Sequence, residues 1–426
     1  MPFTELLVGQ PAHGGHCVAR VPDGEGERVV FVRHALPGER VRVTITEHRS
    51  SFLRGEAVEI LEPSADRVDS PWPEAGAGGV GGGELAHASL PAQRRWKQHV
   101  LAETLRRIGG PELAEQAGEV PEPRALPGDD EAGGLGYRTR VSLTVAQDGT
   151  AGMHAHRGHE VRSLGGMPLA APGIADLDLL GPESPWRSLW HPGARLTAVA
   201  PSADEPLLLI DGKPASLPGR RRPRRSVRER VSTAVGPLDY RVDTAGFWQV
   251  HRQAPAVLAE EVLAAAAAGG DTANALAGAQ ILELYAGAGL LTLPLAHAVG
   301  ASGAVMTVEG AASAVQDARR NLAGQNQVTL GQARIDAGTV REAAAEFGGA
   351  PDVVVLDPPR AGAGAEVMAA IAAVRARRVV LVSCDPAALA RDAADALGRG
   401  YRVERMVPLD FFPHTHHVEV VTTLVR

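Results

Sequence analysis

The segment LVSCDPAALARD, residues 381–392, joins an apolar run to a stretch that favours a helix. The residues at 379–382 predict a buried strand, Ser383 begins a turn, and Pro386 suits the first turn of a helix. Cys384 therefore lies at the carboxyl end of a predicted strand, which is where α/β enzymes place their chemistry. A lone cysteine is more commonly a small apolar core residue. The other motifs of the chain must therefore decide whether Cys384 is a reactive thiol or a structural one.

Similar apolar runs recur through the last part of the chain. They are ILELYAG, AVMTVEG, VVVLDPP and VVLVSC, and alanine-rich stretches with helical character separate them. Strands that alternate with helices in this way predict an α/β, Rossmann-like, doubly wound parallel sheet. We place this domain at residues 238–426.

The length of 426 residues exceeds what one hydrophobic core usually supports, so further domains are expected. Residues 1–67 alternate apolar and polar side chains between glycine-rich turns, which predicts a small β-barrel. Residues 68–237 combine strands with one amphipathic helix at 92–109 and predict a small central α+β domain. We expect that helix to pack on the last domain.

Composition limits the classes of function. The chain has two cysteines, a net charge of −7 and 44% apolar residues. It shows no disulfide framework, no signal segment and no apolar stretch of the ~20 residues that cross a bilayer, so we expect a globular protein of the reducing cytoplasm that binds no membrane. The charge argues against a polyanion-binding surface all over the molecule. Seven arginines within residues 220–230 could contact phosphates, although a solvated linker explains them equally well.

A glycine-rich turn follows the first predicted strand of the last domain. In ILELYAGAG, Gly287 and Gly289 let the backbone approach a ligand at a helix amino terminus. Glu309 ends the next strand twenty residues past Gly289, a spacing suited to binding ribose hydroxyls. Dinucleotides and S-adenosyl-L-methionine both fit these features. Tyr285 beside the glycines either faces the ligand or packs in the sheet.

Two further motifs place polar groups at the ends of predicted strands. In DPPR, two prolines cannot continue a central strand, so Asp357 is aimed out of the sheet end and Arg360 is suited to donate hydrogen bonds to carbonyl oxygens. In FFPHTHHVEVV, alternation with a period of two predicts Thr415, His417 and Glu419 on one face of a strand. If Glu419 is buried, a raised pKa makes it a plausible general base; the alternative is a carboxylate on the surface of an edge strand.

Seven motifs run through the chain in a characteristic order: FVRHALPGERV, GYRTR, FWQVHRQAP, LELYAGAGLLTLPLA, LDPPRAG, VSCDPAALARD and DFFPHTHHVE. Together they resemble the TRAM-domain-containing RNA (uracil-5-)-methyltransferases, which modify tRNA or 23S rRNA. The resemblance covers essentially the whole chain, and the last three motifs are highly specific. It implies an amino-terminal OB-like TRAM barrel that binds RNA and a class I methyltransferase domain that binds S-adenosyl-L-methionine.

The resemblance also implies roles for single residues. Cys384 would add to C6 of uracil so that C5 can attack the sulfonium methyl, and Glu419 would then remove the C5 proton. Arg360 would stabilise charge on a uracil oxygen. The other positions that match the family are Gln249, Tyr285, Gly287, Gly289, Glu309, Asp336 and Asp357 for the cofactor, and Phe247, Thr415 and His417 for the substrate. Phe247 or Trp248 could stack on a base, although packing in a core is the more usual role for at least one of them.

One departure from the family concerns a metal cluster. Many members hold an iron–sulfur cluster on four cysteines, and the stretch PWPEAGAGGVGGGELAHAS resembles that site without its ligands. Trp72, Val80 and Gly83 stand where cysteines are expected, and Met167 stands at the fourth position. Because the cluster requires thiolates, we expect neither an iron–sulfur cluster nor another metal.

Two other functions stay open. A cytosine-5 methyltransferase also uses cysteine addition to C6, but its nucleophile is expected near DPP, where this chain has no cysteine. An RNA-binding homologue without catalysis is the second alternative, and the presence of Cys384 and Glu419 argues against it. The barrel and the former cluster region resemble the rRNA branch, so we favour 23S rRNA over tRNA as the partner and expect a monomer.

Overall fold

The computed structural model describes residues 4–23, 26–220, 224–267 and 275–426. The predicted barrel region forms a six-stranded sheet in the order β1-β5-β6-β4-β3-β2. Every neighbouring pair is antiparallel except β4 and β6, and apolar side chains at alternate positions form its core. The strands are β1 Thr4–Leu7, β2 Pro11–Ala12, β3 His16–Asp23, β4 Gly26–Arg33, β5 Arg40–His48 and β6 Phe52–Glu62.

A helical segment connects this sheet to the rest of the molecule. It consists of α1 (Leu90–Thr104), a wider π turn (Leu105–Gly109) and α2 (Gly110–Ala117), so the predicted helix over 92–109 ends its regular part earlier. A Cβ at Gly109 would lie too close to Leu113 Cδ2, so a larger residue in this turn would require the Leu113 side chain to move. Trp96 and Val100 of α1 pack in the core of the first sheet. Leu101 and Leu105 instead join the core of the last domain.

The central region contains a six-stranded antiparallel sheet in the order β12-β11-β10-β7-β8-β9. Its core includes Trp72, Val80 and Tyr137. The elements are β7 Arg140–Val145, β8 Ala151–His154, β9 Val161–Ser163, α3 Pro172–Ala175, β10 Arg195–Val199, β11 Leu207–Ile210 and β12 Lys213–Ala215. Part of the arginine-rich segment, residues 221–223, lies outside the described residues.

A separate β-hairpin follows, formed by β13 (Ser226–Thr233) and β14 (Gly236–Asp243). Val231, Leu238 and Tyr240 pack against Ala318 and Leu322 of the last domain. The predicted boundary between residues 237 and 238 falls inside this hairpin, because the sequence alternation of its strands does not show which core they cover. The contacts group both strands with the last domain.

The last domain is the predicted doubly wound α/β fold. Its seven-stranded sheet has the order β17-β16-β15-β18-β19-β21-β20, and β21 alone runs in the direction opposite to the other six strands. The strands are β15 Gln280–Leu284, β16 Ala304–Glu309, β17 Val328–Gln332, β18 Val353–Leu356, β19 Arg378–Ser383, β20 Arg402–Leu409 and β21 Glu419–Val425. The helices are α4 Ala254–Ala266, α5 Thr292–Val299, α6 Ala312–Asn321, α7 Ala337–Ala345, α8 Ala365–Ala373 and α9 Pro386–Leu397.

The central strands of this sheet are covered on both faces, which explains their continuous Val and Leu runs. One core lies between the sheet and helices α1, α7, α8 and α9, and the other lies between the sheet and helices α4 and α5. The strand order reverses direction between β15 and β18, and ligands of such sheets bind outside the carboxyl ends of the strands at this point. In the described part of the chain, no helix combines the length and apolar character needed to cross a membrane.

Candidate active site

The two predicted catalytic residues meet across neighbouring strands. Strand β19 pairs with β21 as far as Ser383, which is opposite Val420. Cys384 directly follows Ser383 and Glu419 directly precedes Val420, and the charge of Glu419 contributes to the raised pKa of Cys384, so the two residues lie close together. Asp385, the next residue, accepts a hydrogen bond from the Ala388 N–H at 2.8 Å and so begins α9. Cys384 is half-buried between the strand end and this helix cap.

Glu419 is the first residue of β21 and is 4% exposed. Because β21 lies between β19 and β20, the alternative of an edge-strand surface carboxylate is wrong. The prediction that Thr415, His417 and Glu419 share a strand face is also wrong. Thr415 closes a turn, with its N–H donating to the Phe412 carbonyl at 3.1 Å, and the strand begins only at Glu419. Alternating side chains alone do not reveal such a turn.

The carboxyl groups of the buried Glu419 and the half-buried Asp357 lie beside the thiol. Burial raises the pKa of Glu419 well above its usual value, the Asp357 charge adds to this rise, and Arg360 opposes it. Desolvation raises the pKa of Asp357 to about 7. Since like charges in an apolar setting resist ionising together, this pair holds a proton near neutral pH.

The thiol of Cys384 responds to the same surroundings. Burial raises its pKa to about 12, the charges of Glu419 and Asp357 contribute, and Arg360 acts in the opposite direction. The resting form is therefore the neutral thiol. A thiolate forms more readily when Glu419 and Asp357 are protonated, because their negative charges raise the pKa of the thiol. A closer approach of the positive charge of Arg360 has the same effect, because it lowers that pKa.

Arg360 and His417 lie next to these groups. The Arg360 Nη2 lies 3.4 Å from the His417 Nε2. Burial, followed by the charges of His416 and Arg360, lowers the pKa of His417 to about 3, so its imidazole is neutral and can accept a hydrogen bond from the guanidinium. Thr415 is buried, and its hydroxyl donates to the Phe412 carbonyl at 2.9 Å, which stabilises the turn before His417.

The glycine turn and Glu309 also come together. Gly287 has a φ of +57° with open space around its Cα, and its N–H donates to Glu309 Oε2 at 2.9 Å. The other oxygen of Glu309 accepts the Ala311 N–H at 2.6 Å. Each carboxylate oxygen keeps a lone pair for a ribose hydroxyl, so these residues fit the ribosyl part of S-adenosyl-L-methionine. Gly289 and Tyr285 also have positive φ values, +87° and +65°, which shape the sharp exit from β15.

Asp336 and Gln249 occupy different surroundings. Asp336 is exposed after β17 and caps α7 by accepting the Thr339 N–H at 2.9 Å, a bond that lowers its pKa. It shares the carboxyl edge of the sheet with Glu309. Gln249 is buried and lines a cavity of about 250 Å³ with residues of the 247–252 segment. Among the described residues, no hydrogen bond links its side chain to the glycine turn.

Phe247 and Trp248 divide the two roles that the sequence left open. Trp248 is buried against Tyr240, with ring centroids 5.2 Å apart. Phe247 is 75% exposed at a groove of about 1340 Å³ that is also lined by Arg138 and Arg195. Packing in a core is therefore the role of Trp248, and Phe247 is free to contact a ligand.

Sequence reasoning missed the residues that hold the loop before β21. Lys97 of α1 lies 2.5 Å from Asp410 and donates to the Phe412 carbonyl at 2.9 Å. One turn earlier, Gln93 accepts the His414 N–H at 2.6 Å. The sequence contained one indication of this role: Gln93 and Lys97 are polar residues, four positions apart, on the buried face of an amphipathic helix.

The sheet order and the acid–glycine pair at its switch point define a class I methyltransferase domain, the class of enzymes that use S-adenosyl-L-methionine. A family model described as tRNA (uracil-5-)-methyltransferase matches residues 226–426, and a TRAM domain model matches residues 4–58. An RNA methyltransferase of Bifidobacterium longum is 39% identical over 100% of this chain and 97% of its own length. A 23S rRNA (uracil(1939)-C(5))-methyltransferase of Halomonas elongata is 32% identical over 99% and 89%, respectively.

The structure of Pyrococcus abyssi tRNA (uracil-54, C5)-methyltransferase in complex with S-adenosyl-L-homocysteine superimposes with a TM-score of 0.68. The match covers 99% of this chain and 100% of that chain at 19% identity, so it shows a shared fold. The identity and coverage of the sequence relatives establish the family. The chain belongs to the RNA (uracil-5-)-methyltransferase family of enzymes and carries an amino-terminal TRAM domain.

Proposed function

We propose that this protein methylates C5 of a uridine in 23S rRNA, with S-adenosyl-L-methionine as the methyl donor and a covalent Cys384 adduct as the intermediate. The observation that carries the proposal is that Cys384 and the buried Glu419 lie at the adjoining ends of β19 and β21, where the charge of Arg360 acts on both. Relatives from Halomonas elongata and Chromohalobacter salexigens, 32% and 33% identical, bear the name of a 23S rRNA uracil-C5 methyltransferase, which supports rRNA as the substrate.

Cys384 begins the reaction. C5 of uracil is a poor nucleophile, and addition of the sulfur to C6 breaks the C5=C6 π bond and moves negative charge to the O4 carbonyl oxygen. The thiol must first lose its proton, which its raised pKa opposes in the resting site. Arg360 favours the step because its charge stabilises both the thiolate and the developing enolate.

The residues that we assign to S-adenosyl-L-methionine surround the carboxyl ends of β15 to β18. When bound, this cofactor supplies an electrophilic methyl group. Glu309 would hold the ribose hydroxyls, the backbone at Gly287 and Gly289 would approach the ligand, and Tyr285 would border it. By resemblance to the family, Gln249, Asp336 and Asp357 complete this set.

Glu419 ends the reaction. Once C5 carries the methyl group, Glu419 removes the C5 proton, the C6–sulfur bond breaks and the C5=C6 double bond returns. A carboxylate in water is too weak a base for this step. Burial at the start of β21 raises the pKa of Glu419 and so makes its carboxylate a stronger base. Thr415 and His417 would shape the wall of the uracil pocket, and the exposed Phe247 would stack on a neighbouring base.

We further propose that the activity does not depend on an iron–sulfur cluster. The side chains at two of the expected ligand positions, Trp72 and Val80, belong to the apolar core of the central region, and Met167 packs against that core. At Gly83 an added Cβ would lie 2.7 Å from the Ala75 Cβ, so a side chain has no room there. Apolar packing thus stabilises the segment that thiolate ligands would otherwise hold.

The test is to map 5-methyluridine by mass spectrometry in rRNA and tRNA from cells with and without the gene. We expect one 5-methyluridine of 23S rRNA to disappear in the deletion strain and to return on incubation of that rRNA with purified protein and S-adenosyl-L-methionine. Loss of 5-methyluridine from tRNA instead would mean that the substrate is tRNA. Unchanged 5-methyluridine in both, with no methyl transfer in vitro, would contradict the proposal.

A further inference from the structure

The segment at 71–89, where the family's cluster ligands are missing, touches the loop at 410–418 that we call the catalytic loop. The contact is made directly after Gly83, the third expected ligand position. The Leu85 N–H donates to the His414 carbonyl at 2.9 Å, so the two segments are joined through their backbones. The neighbouring Glu84 then faces the middle of the catalytic loop.

Glu84 is 8% exposed, and one of its oxygens accepts the Gly82 N–H at 2.9 Å. Its other oxygen, Oε2, lies 3.7 Å from the Nδ1 of His416. Both of these atoms are buried, and within the described residues neither has a hydrogen-bond partner. A buried carboxylate oxygen without a partner is costly, so the favoured orientation of the His416 ring is the one that keeps Nδ1 directed at Glu84.

The orientation of His416 is passed on to the uracil pocket. Its ring centroid lies 4.1 Å from that of His417, and the His417 Nε2 in turn faces the Arg360 guanidinium at 3.4 Å. A rotation of His416 would therefore displace His417. Arg360 would then lose the acceptor that positions it next to Cys384 and Glu419.

The amino-terminal sheet encloses the same pair. A Cβ on Gly15 would lie 2.9 Å from the Glu84 Cβ and 3.4 Å from the His416 Nδ1, so only glycine leaves room for their contact. His13 places its Nε2 3.5 Å from Asp385, the residue after the nucleophile. Groups from the TRAM domain and from the former cluster segment thus converge on one side of the catalytic loop.

We propose that Glu84 is a positioning residue, which anchors His416 and thereby holds His417 and Arg360 in place for uracil. This inference rests on the proposed methylation of uridine. The segment at 71–89 would then contribute to the reaction without binding a metal. The Glu84 carboxylate would hold the catalytic loop in position from outside the methyltransferase sheet.

The first arm of the test is kinetic. Glu84→Ala removes both acceptor oxygens, and we expect kcat to fall on the order of tenfold to a hundredfold with the Kd of S-adenosyl-L-methionine and the Tm close to wild type. Glu84→Gln keeps one acceptor oxygen and should recover part of the loss. Glu74→Ala is the matched control, because Glu74 lies in the same segment but accepts from the Gly165 N–H at 2.9 Å, away from the catalytic loop. Wild-type kcat in Glu84→Ala, or an equal loss in Glu74→Ala, would overturn the inference.

The second arm does not require activity. The second measurement uses ¹⁵N NMR of protein with labelled histidine, in which the chemical shifts of the ring nitrogens report the tautomer. In the wild type, His416 and His417 should each show a single tautomer. In Glu84→Ala, both residues should show a different tautomer or a mixture of the two. His417→Gln and His416→Gln would assign the signals. Unchanged His417 signals would reject the positioning role even if activity fell. If the wild-type protein methylates no RNA, the proposed function fails, and the histidine signals alone decide whether Glu84 orients this pair.

Discussion

Cys384 contacts the base, and not the cofactor, in the proposed reaction. We therefore expect Cys384→Ala to abolish methyl transfer while the Kd for S-adenosyl-L-methionine, measured by calorimetry, stays within a few fold of wild type. The matched control is Cys17→Ala, since Cys17 is fully buried in the amino-terminal sheet and donates to the Ala35 carbonyl at 3.5 Å. Turnover by Cys384→Ala equal to that of wild type would overturn the covalent mechanism.

Glu419 is predicted to act after methyl transfer. Glu419→Gln should still allow Cys384 to add and the methyl to transfer, but the amide cannot accept the C5 proton, so elimination stalls. With radiolabelled methyl donor, a slow-migrating, labelled protein–RNA species should accumulate on a denaturing gel. The double variant with Cys384→Ala should show none. Without an adduct in the single variant, and with RNA and cofactor still bound, Glu419 would act earlier or be structural, and His417 would be the next candidate base.

The raised pKa of Asp357 has a consequence for stability. The folded protein holds this proton more tightly than the unfolded chain, so the contribution to stability is fully present below pH 4 and is lost as pH rises through about 7. Asp357→Asn removes the ionisation and should raise the Tm relative to wild type more at pH 8 than at pH 5. Thermal unfolding of both proteins at the two pH values checks this, and an equal Tm difference at both would contradict it.

At the scale of elements, helix α1 bears on the catalytic loop through a buried ion pair. Lys97 and Asp410 have side chains 0% and 2% exposed, so removal of one partner leaves an unpaired buried charge. We expect Lys97→Met to lower the free energy of unfolding by roughly 3–5 kcal/mol, and Lys97→Met combined with Asp410→Leu to lower it by less.

Urea unfolding measures these changes, and an exposed ion pair between the same helix and the segment after β6 provides the control. Arg95 and Asp66 lie 2.7 Å apart with side chains 50% and 45% exposed, so Arg95→Met should cost less than about 1 kcal/mol. If Lys97→Met cost no more than Arg95→Met, the buried pair would not be what holds the loop to α1.

Strand β21 is the element that assembles the site. Because it enters between β19 and β20 against their direction, its first residue lies at the same sheet edge as the ends of the parallel strands. The catalytic loop before it is bound to α1 and to the segment at 71–89 rather than to the sheet alone. Changes in either segment are therefore expected to displace His417 and Glu419, the residues proposed to face uracil.

At the scale of the whole molecule, the segment at 71–89, which lacks cysteines at the expected ligand positions, predicts an enzyme without an iron–sulfur cluster. Protein purified under anaerobic conditions should contain no stoichiometric iron and show no charge-transfer absorbance, because the chain has two cysteines, and these are Cys17 and Cys384. Iron analysis together with absorption spectroscopy is the measurement. Iron at cluster stoichiometry would overturn the argument from the lost ligands.

The sequence by itself determined the class of the last domain and most of the groups at its active edge. Val and Leu runs between helical stretches are visible locally because a strand covered on both faces must be apolar throughout. Glycines, acids and prolines at strand ends are likewise local signals, and Cys384, Asp357, Arg360, His417 and Glu419 all lie where the chain leaves or enters the sheet. The surroundings of Gln249 and the start of β21 were not evident, since both depend on turns and on packing against distant segments.

Only the tertiary structure decided which of these residues face each other. The proximity of Cys384 to Glu419 follows from the antiparallel insertion of β21, and strand order is a property of contacts between segments that the local pattern does not encode. The same holds for the ion pair of Lys97 with Asp410 and the close approach of Glu84 to His416, which bring together residues more than 300 positions apart. Burial then raises the pKa values of the carboxyl groups, because the low dielectric of an apolar site exists only once those segments have packed together.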